Sequence, residues 1–540
     1  MKRNLPIWLT IAIALIAFAA GLLIDRHYLN PASELNGSDP KVKAILDLIT
    51  EEYVDTVNLD KLMEKSIPLI LKELDPHSSY VEAQYSKITK DKPNGVIPDI
   101  GAVLIIFNDT IHVECIVPAG PSDIAGILPG DCIVKIDGKP TANIKTTLGE
   151  VFKLLSGPDG SKVTLSVQRH GISKVLDFTV TRDRIIKKTL DSYYLLDKNT
   201  GYIKVNQFER NTYKEFVQAL AQLQDQGAKR FMIDLRGNGG GFMEIAVLMA
   251  NEFLPAGQPI VTTRGRRRQY NHSYDSDGKG KFQNVELAVL IDEYSASASE
   301  IFAGALQDND RALIVGRRSF GKGLVQNDFI LTDSSIMRLT VARYYTPSGR
   351  CIQKNYKYYD ARYYDDELLE RFKHGELYNR DSIRIDKSQA FTTRHGRTVY
   401  GGGGIIPDIF VPRDTVGITN YYIDVENAGL LQRFAFNYCE KNRATLEAMS
   451  DYKQFLRTTP IDNDIIKEFA EFAAANGITP RWYYINRSRD LILTKIKSII
   501  AHDIFGPEGY SAIVNRNDNI VQAALKALSR HQAAFPITSE

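Results

Sequence analysis

The chain has 540 residues, 44% of them apolar and 24% charged, enough for two or three domains with cores of their own. Its 67 basic and 65 acidic residues are well mixed and leave a net charge of +2, which gives no electrostatic case for nucleic-acid binding. Cys115, Cys132, Cys351 and Cys439 lie far apart without C-x-x-C spacing, so neither a zinc site nor a disulfide framework is indicated.

Lys2 and Arg3 precede an uncharged apolar run, Leu5 to Ile24, after which Asp25, Arg26 and His27 begin polar sequence. About twenty apolar residues suffice to cross a bilayer as a helix, and positive charge on the short side keeps that end cytoplasmic. Residues 1–25 are therefore expected to be a single-pass anchor, with the body on the extracytoplasmic (periplasmic) side of the cytoplasmic membrane. The competing reading is a signal peptide cleaved near Ala17-Phe18-Ala19, which would release a secreted body. The length of the run past that point favours the anchor.

Residues 40–87 are expected to form helices, since Val42, Ile45, Leu46 and Ile49, then Leu62, Ile67, Leu69, Ile70 and Leu74, recur at helical spacing. Leu74-Asp75-Pro76-His77-Ser78-Ser79-Tyr80 closes this region, and His77 is read as structural. From 95 to 184 the pattern changes to short strands: Ala102 to Phe107, Ile111 to Ile116, Cys132 to Ile136, Val163 to Arg169 and Val175 to Thr181. Among them lies Ala125-Gly126-Ile127-Leu128-Pro129-Gly130-Asp131, a stretch that resembles a PDZ domain. That resemblance implies peptide binding by strand addition, with a C-terminal carboxylate held by backbone N–H groups. Ile100, Gly101 and Ala102 occupy the carboxylate-binding loop position. Asp99 stands where the family has its first glycine, and its charge opposes a free carboxylate.

Gly201 to Phe208 reads as a strand, Tyr213 to Gln224 as an amphipathic helix, and Phe231 to Leu235 as a buried strand. The last runs into Asp234-Leu235-Arg236-Gly237-Asn238-Gly239-Gly240-Gly241, with a helix expected from Phe242 to Leu254. This turn fails the dinucleotide pattern G-x-G-x-x-G at Phe242. Val285 to Ile291 is a further buried strand. It breaks into Ser295-Ala296-Ser297-Ala298-Ser299-Glu300, and helical spacing resumes at Ile301, Phe302, Ala305 and Leu306. A strand from Ala312 to Val315 then leads into the loop Gly316 to Gly323. That loop fits a phosphate-binding P-loop except at its last position, where Gly323 replaces the hydroxyl that would meet Mg²⁺.

A strand–turn–helix can place a serine at a helix N-terminus, where free N–H groups stabilise negative charge, and a lysine from the next loop can act as its base. Ser295 to Glu300, followed by Phe320-Gly321-Lys322-Gly323-Leu324-Val325-Gln326, resembles the active-site signature of the C-terminal processing peptidases, or tail-specific proteases. The resemblance implies Ser297 as nucleophile, Lys322 as base and Gln326 as the residue orienting it. It also implies an oxyanion hole from the N–H groups of Gly240 and Ala298, and no metal or cofactor. The 74–80 segment and Gly403-Gly404-Ile405-Ile406-Pro407-Asp408 match the same family.

The implied architecture is α/β: a crotonase- and Clp-like peptidase core at 185–412 with an inserted PDZ domain. Arg350 to Arg397, rich in Tyr and charge, is expected to be a surface excursion. Four glycines at 401–404 are expected to form a close-packed turn and not a linker. Residues 413–540 read as helices, candidates for packing on the body, partner binding or homo-oligomerisation. The implied function is a serine endopeptidase with a Ser–Lys dyad, cutting extracytoplasmic polypeptides near their C-terminal tails. The alternatives are an idle PDZ scaffold at the membrane, or an esterase or transpeptidase using the same dyad.

Overall fold

The computed structural model describes residues 40–83, 97–107, 109–117, 120–142, 147–169, 172–185, 188–356, 361–458 and 463–530. The apolar run expected as an anchor lies outside these residues. Among the described residues, no helix is long and apolar enough to cross a membrane. The chain divides into two units, one ending at Glu73 and one beginning at Leu74.

The first unit contains two helices, Pro40–Glu52 and Leu59–Lys72. The second starts where Asn58 accepts the Lys61 N–H at 3.0 Å, a side-chain cap for an otherwise unpaired donor. The expected helical region is shorter than 40–87. Ser79–Val81 is a strand of the second unit, pairing antiparallel with Ile336–Tyr345. Three residues are too few for periodicity to reveal.

The second unit opens with the PDZ-like module, an antiparallel sheet in the order Ala102–Phe107, Thr110–Ile116, Cys132–Ile136, Lys162–Gln168 and Leu176–Thr181. Its core is built from Ile111, Val113, Ile133, Val163, Leu165, Val167 and Val180. Ile97–Asp99 pairs with Asp183–Ile185 and ties the two ends of the module together.

The next sheet has six strands: Leu190–Leu195, Thr200–Val205, Arg230–Asp234, Glu286–Ile291, Leu313–Gly316 and Ile409–Phe410. All neighbours are parallel except the first pair. A parallel sheet is covered on both faces, which is why its strands are apolar runs without alternation. Phe231, Ile233, Leu287, Val289, Ile291 and Ile314 point one way, into helices Thr212–Asp225, Met243–Asn251 and Ala298–Asp308. Met232, Ala288, Leu290, Leu313 and Val315 point the other way, into Ile520, Val521, Ala524 and Leu528 of helix Asn519–Ser529. The C-terminal helical region therefore supplies half of the sheet's cover. Its remaining helices enclose their own core around Phe434, Phe469, Ile485 and Ile496.

An antiparallel sheet lies alongside, with Ile336–Tyr345 paired to Ser79–Val81, Pro259–Gly265 and Leu324–Ile330. The expected surface excursion is in part interior. Arg350, Lys354, Arg371 and Glu376 within it are each at most 3% exposed, and residues Ala361–Lys373 form a helix. Charged composition suggested solvent because sequence does not reveal that the charges pair with one another.

Candidate active site

The strand Glu286–Ile291 ends at a turn held from several sides. The Ser295 hydroxyl donates to Leu235 O at 2.8 Å, the Ala296 N–H to Asn238 O at 3.0 Å, and the Ser299 hydroxyl to the same Asn238 oxygen at 2.9 Å. At its apex Ser297 has φ +57° and ψ −114°, a positive-φ conformation that costs a non-glycine residue energy and concentrates at functional sites. Helix Ala298–Asp308 follows at once and is buried along its whole length. Ala298 is its first residue, so its N–H has no intrahelical acceptor.

The turn after Arg230–Asp234 lies against this apex. Gly240 has φ +105°, and a Cβ on it would fall 2.7 Å from Ala296 O and 2.8 Å from Ser297 Cβ. No other residue type fits there. The Gly240 N–H, expected as an oxyanion donor, is engaged: it donates to Asn238 Oδ1 at 2.8 Å. Asn238 is fully buried and donates its own amide to Val205 O at 2.9 Å, so it fixes the turn at both ends. Below it, Arg236 forks onto Asp234 and reaches Asp518 Oδ2 at 2.7 Å. Asp518 caps the N–H groups of Ile520 and Val521, which couples the turn to the helix under the sheet.

Lys322 arrives on the loop after Leu313–Gly316. Glu300, fully buried on the helix that Ser297 opens, ties this loop to the Ser297 turn. Its Oε2 accepts the N–H groups of Ser297 (2.9 Å) and Lys322 (2.8 Å); its Oε1 accepts the Gly321 N–H (2.7 Å) and the Ser319 hydroxyl (2.5 Å). Burial raises the Glu300 carboxyl to about 7 against the pull of these donors. The single proton of the Tyr344 hydroxyl is shared between Ser297 O (3.1 Å) and Lys322 O (2.5 Å). Gly404, at φ +86°, closes on Ser319, where a Cβ would come within 2.6 Å of the carbonyl oxygen. The glycine run is thus a close-packed turn.

The Lys322 ammonium is partly buried, and burial, aided by the Arg338 charge, lowers its pKa; Glu300 and Asp75 oppose the shift. His77 stays neutral near it: burial, then the Lys322 charge, lowers its pKa to about 4. Its Nε2 lies 2.8 Å from the Tyr364 hydroxyl, which fits a structural role.

Two expected contacts are absent among the described residues. The Ser297 hydroxyl and the Lys322 amine share no hydrogen bond. Gln326, expected to orient the amine, instead donates to Thr340 Oγ1 at 3.3 Å, and Thr340 in turn donates to Asp75 Oδ1 at 3.0 Å. Gln326 and Thr340 are cross-strand partners, which makes that contact the local one.

In the PDZ-like module Ile100 is fully buried and its carbonyl accepts the Ser122 N–H at 2.8 Å. Gly101 has φ +73°, and Ala102 begins a strand at the sheet edge, beside helix Leu148–Leu155.

Glu300, Tyr344, Asn238 and Arg371 were not singled out by sequence. Only Glu300 had a local signal, the S-x-x-E capping spacing from Ser297. Tyr344 and Arg371 act across long sequence separations, and Asn238 bonds both Gly240, two residues on, and the more distant Val205.

Residues 199–361 match the model for peptidase family S41, residues 112–169 match the PDZ domain, and residues 421–506 match a family of unknown function. A carboxy-terminal-processing protease from Bartonella bacilliformis is 36% identical over 348 residues, 61% of this chain and 79% of that protein. A "Probable CtpA-like serine protease" from Staphylococcus aureus is 32% identical over 346 residues, 64% of this chain and 68% of its own. Among solved structures, the photosystem II D1 C-terminal processing protease aligns over 74% of this chain and 92% of that one, at 25% identity and a TM-score of 0.38. With a relative 36% identical over most of its own length, and with peptidase and PDZ segments both matched, the chain belongs to the carboxy-terminal-processing proteases of family S41 and is a serine-type peptidase.

Proposed function

We propose that the chain cleaves extracytoplasmic polypeptides near their C-termini through a dyad of Ser297 and Lys322. The observation that carries this reading is the single buried carboxylate of Glu300, which binds the backbone N–H of both residues. Ser297 Oγ attacks the scissile carbonyl and its proton passes to the neutral Lys322 amine. The lysine then protonates the leaving amine, and water resolves the acyl-enzyme by the same route in reverse. A lysine can accept that proton only when uncharged, and burial moves it in that direction. The Ala298 N–H faces the developing oxyanion, and the Gly240 N–H joins it on exchanging its bond to Asn238. Gln326 orients the amine once it leaves Thr340.

In this reading the PDZ module adds a substrate tail as a strand along the edge Ala102–Phe107 and gates the site, with Ile100, Gly101 and Ala102 at the end of the groove. The run Leu5 to Ile24 anchors the body at the cytoplasmic membrane.

The test incubates the full chain, beside Ser297→Ala and Lys322→Ala, with a loosely folded protein ending in apolar residues, and reads the fragments by mass spectrometry. Cleavage by the wild type alone is expected, with a loss of about 10³-fold or more in each variant. Equal cleavage by all three would end the dyad reading.

A further inference from the structure

The loop carrying Lys322 is gripped from two sides, and one of them lies beyond the segment that matches the peptidase family, which stops at residue 361. We propose that helix Ala361–Lys373 is a positioning element for the base, with Arg371 holding the loop carbonyls while Glu300 holds the loop amides.

The Arg371 guanidinium is 1% exposed. Its Nη1 donates to Ser319 O at 2.7 Å and its Nη2 to Phe320 O at 3.2 Å. The next two amides, Gly321 and Lys322, donate to Glu300. The peptide unit between Phe320 and Gly321 thus has its carbonyl on Arg371 and its amide on Glu300, with one more carbonyl held before it and one more amide held after it. This fixes the direction of the loop more tightly than either charge alone. Glu300 Oε2 also holds the Ser297 N–H, so the arrangement sets where the lysine stands relative to the serine.

Arg371 is itself fixed by Glu367 Oε1 at 2.6 Å. Glu367 also takes the Lys354 ammonium at 3.2 Å, and that ammonium lies over the Phe320 ring at 3.9 Å and the Tyr364 ring at 4.0 Å. Arg318, at the start of the loop, forks onto Glu376 with two bonds of 2.6 Å. Every residue from 318 to 320 is therefore touched by the segment 354–376. A helix serving only to cover surface has no need of a buried arginine aimed at main-chain oxygens two and three residues before the base.

The inference rests on the Ser297–Lys322 reading, and the controls separate the two. In the full chain, Arg371→Lys keeps the charge beside Glu367 but loses the planar fork. Three quantities are compared with wild type: kcat and KM on a peptide with an apolar C-terminus, the rate at which a fluorophosphonate labels Ser297, and the thermal midpoint. Misplacing a reacting group by about 1 Å costs about 10²-fold. Arg371→Lys is thus expected to lower kcat and the labelling rate together by about 10- to 10²-fold, with KM within about twofold. Folded Arg371→Lys with kcat and labelling within about twofold of wild type would overturn the proposal, as would a raised KM at unchanged kcat.

Glu300→Gln decides the matter if Arg371→Lys does not fold. It is isosteric, but its NH₂ must face at least one main-chain N–H wherever it points, so the same loss is expected and an unchanged kcat again overturns the proposal. Ser297→Ala and Lys322→Ala serve as controls. If either stays active, the dyad reading falls. If both are dead while Arg371→Lys and Glu300→Gln are active, only the positioning role falls.

Discussion

The turn that carries Ser297 and the loop that carries Lys322 solve one problem in opposite ways. The serine sits within regular structure, with a buried strand behind it and a helix in front, and Leu235 and Asn238 brace the turn between them. The lysine loop has little regular structure, and its atoms are held by Glu300, Tyr344, Gln353 and Arg371, which come from four other segments. A nucleophile can be made by local geometry, whereas a base that must be uncharged to work needs a site assembled around it. The difference also says where the enzyme is adjustable. Moving the serine means refolding a helix, while moving the lysine means changing a few distant hydrogen bonds.

The largest break in this comparison is expected at Gly240→Ala, which attacks the serine side. Its methyl group would meet Ala296 O and Ser297 Cβ, deforming the turn and the donor pair together. Loss of an oxyanion-type donor costs about 10²–10³-fold in kcat, and steady-state kinetics against wild type would show it. A kcat within about threefold of wild type would mean that the Gly240 side of the turn is not part of the reacting geometry. Tyr344→Phe removes the one hydroxyl that bonds both main-chain oxygens, Ser297 O and Lys322 O. One shared proton is worth about 1 kcal/mol, so a fall of roughly fivefold in kcat is expected, with KM little changed; a raised KM alone would instead place Tyr344 in substrate binding.

The smallest effect sharpens the distant side. Arg338 is, after burial, the second cause of the lowered Lys322 pKa. In the proposed mechanism the neutral amine is the active form, so kcat/KM is expected to rise with pH through that pKa. Arg338→Met removes a positive neighbour, which favours the charged lysine. The rising limb should therefore shift to higher pH while the plateau stays in place. A shift to lower pH would show that Lys322 is not the titrating group.

The same division explains what could be read in the sequence. Ser297, Ala298, Gly240 and the strands behind them announce themselves through small residues, apolar runs and spacing, all of them local signals. The Arg350–Arg397 segment announces nothing, because Arg350, Arg371 and Glu376 have the composition of a solvated surface while lying inside. The role of Asn238 was equally hidden: its side chain takes the Gly240 N–H two residues on, a bond that depends on one rotamer. Ser79–Val81 escaped because a three-residue strand has no period to detect. The helical character of 413–540 was legible from its spacing. That Ile520, Val521 and Leu528 would close the far face of the catalytic sheet was not, since an apolar stripe does not name its partner.

That far face sets the timing of assembly. Asn515 donates to the Tyr194 hydroxyl across 321 positions of chain, and helix Asn519–Ser529 packs on the same side of the sheet. Contacts so distant in sequence form late, because the entropy of closing the loop is lost before the contact rewards it. The PDZ-like module and the strands that follow it can reach their own pairings first, leaving Tyr202, Met232 and Leu290 wet in the meantime. Folding of this chain should therefore pass through a stage in which the Ser297 face is packed and the opposite face is open and adhesive. Peptidase activity would then appear only after that second face is closed.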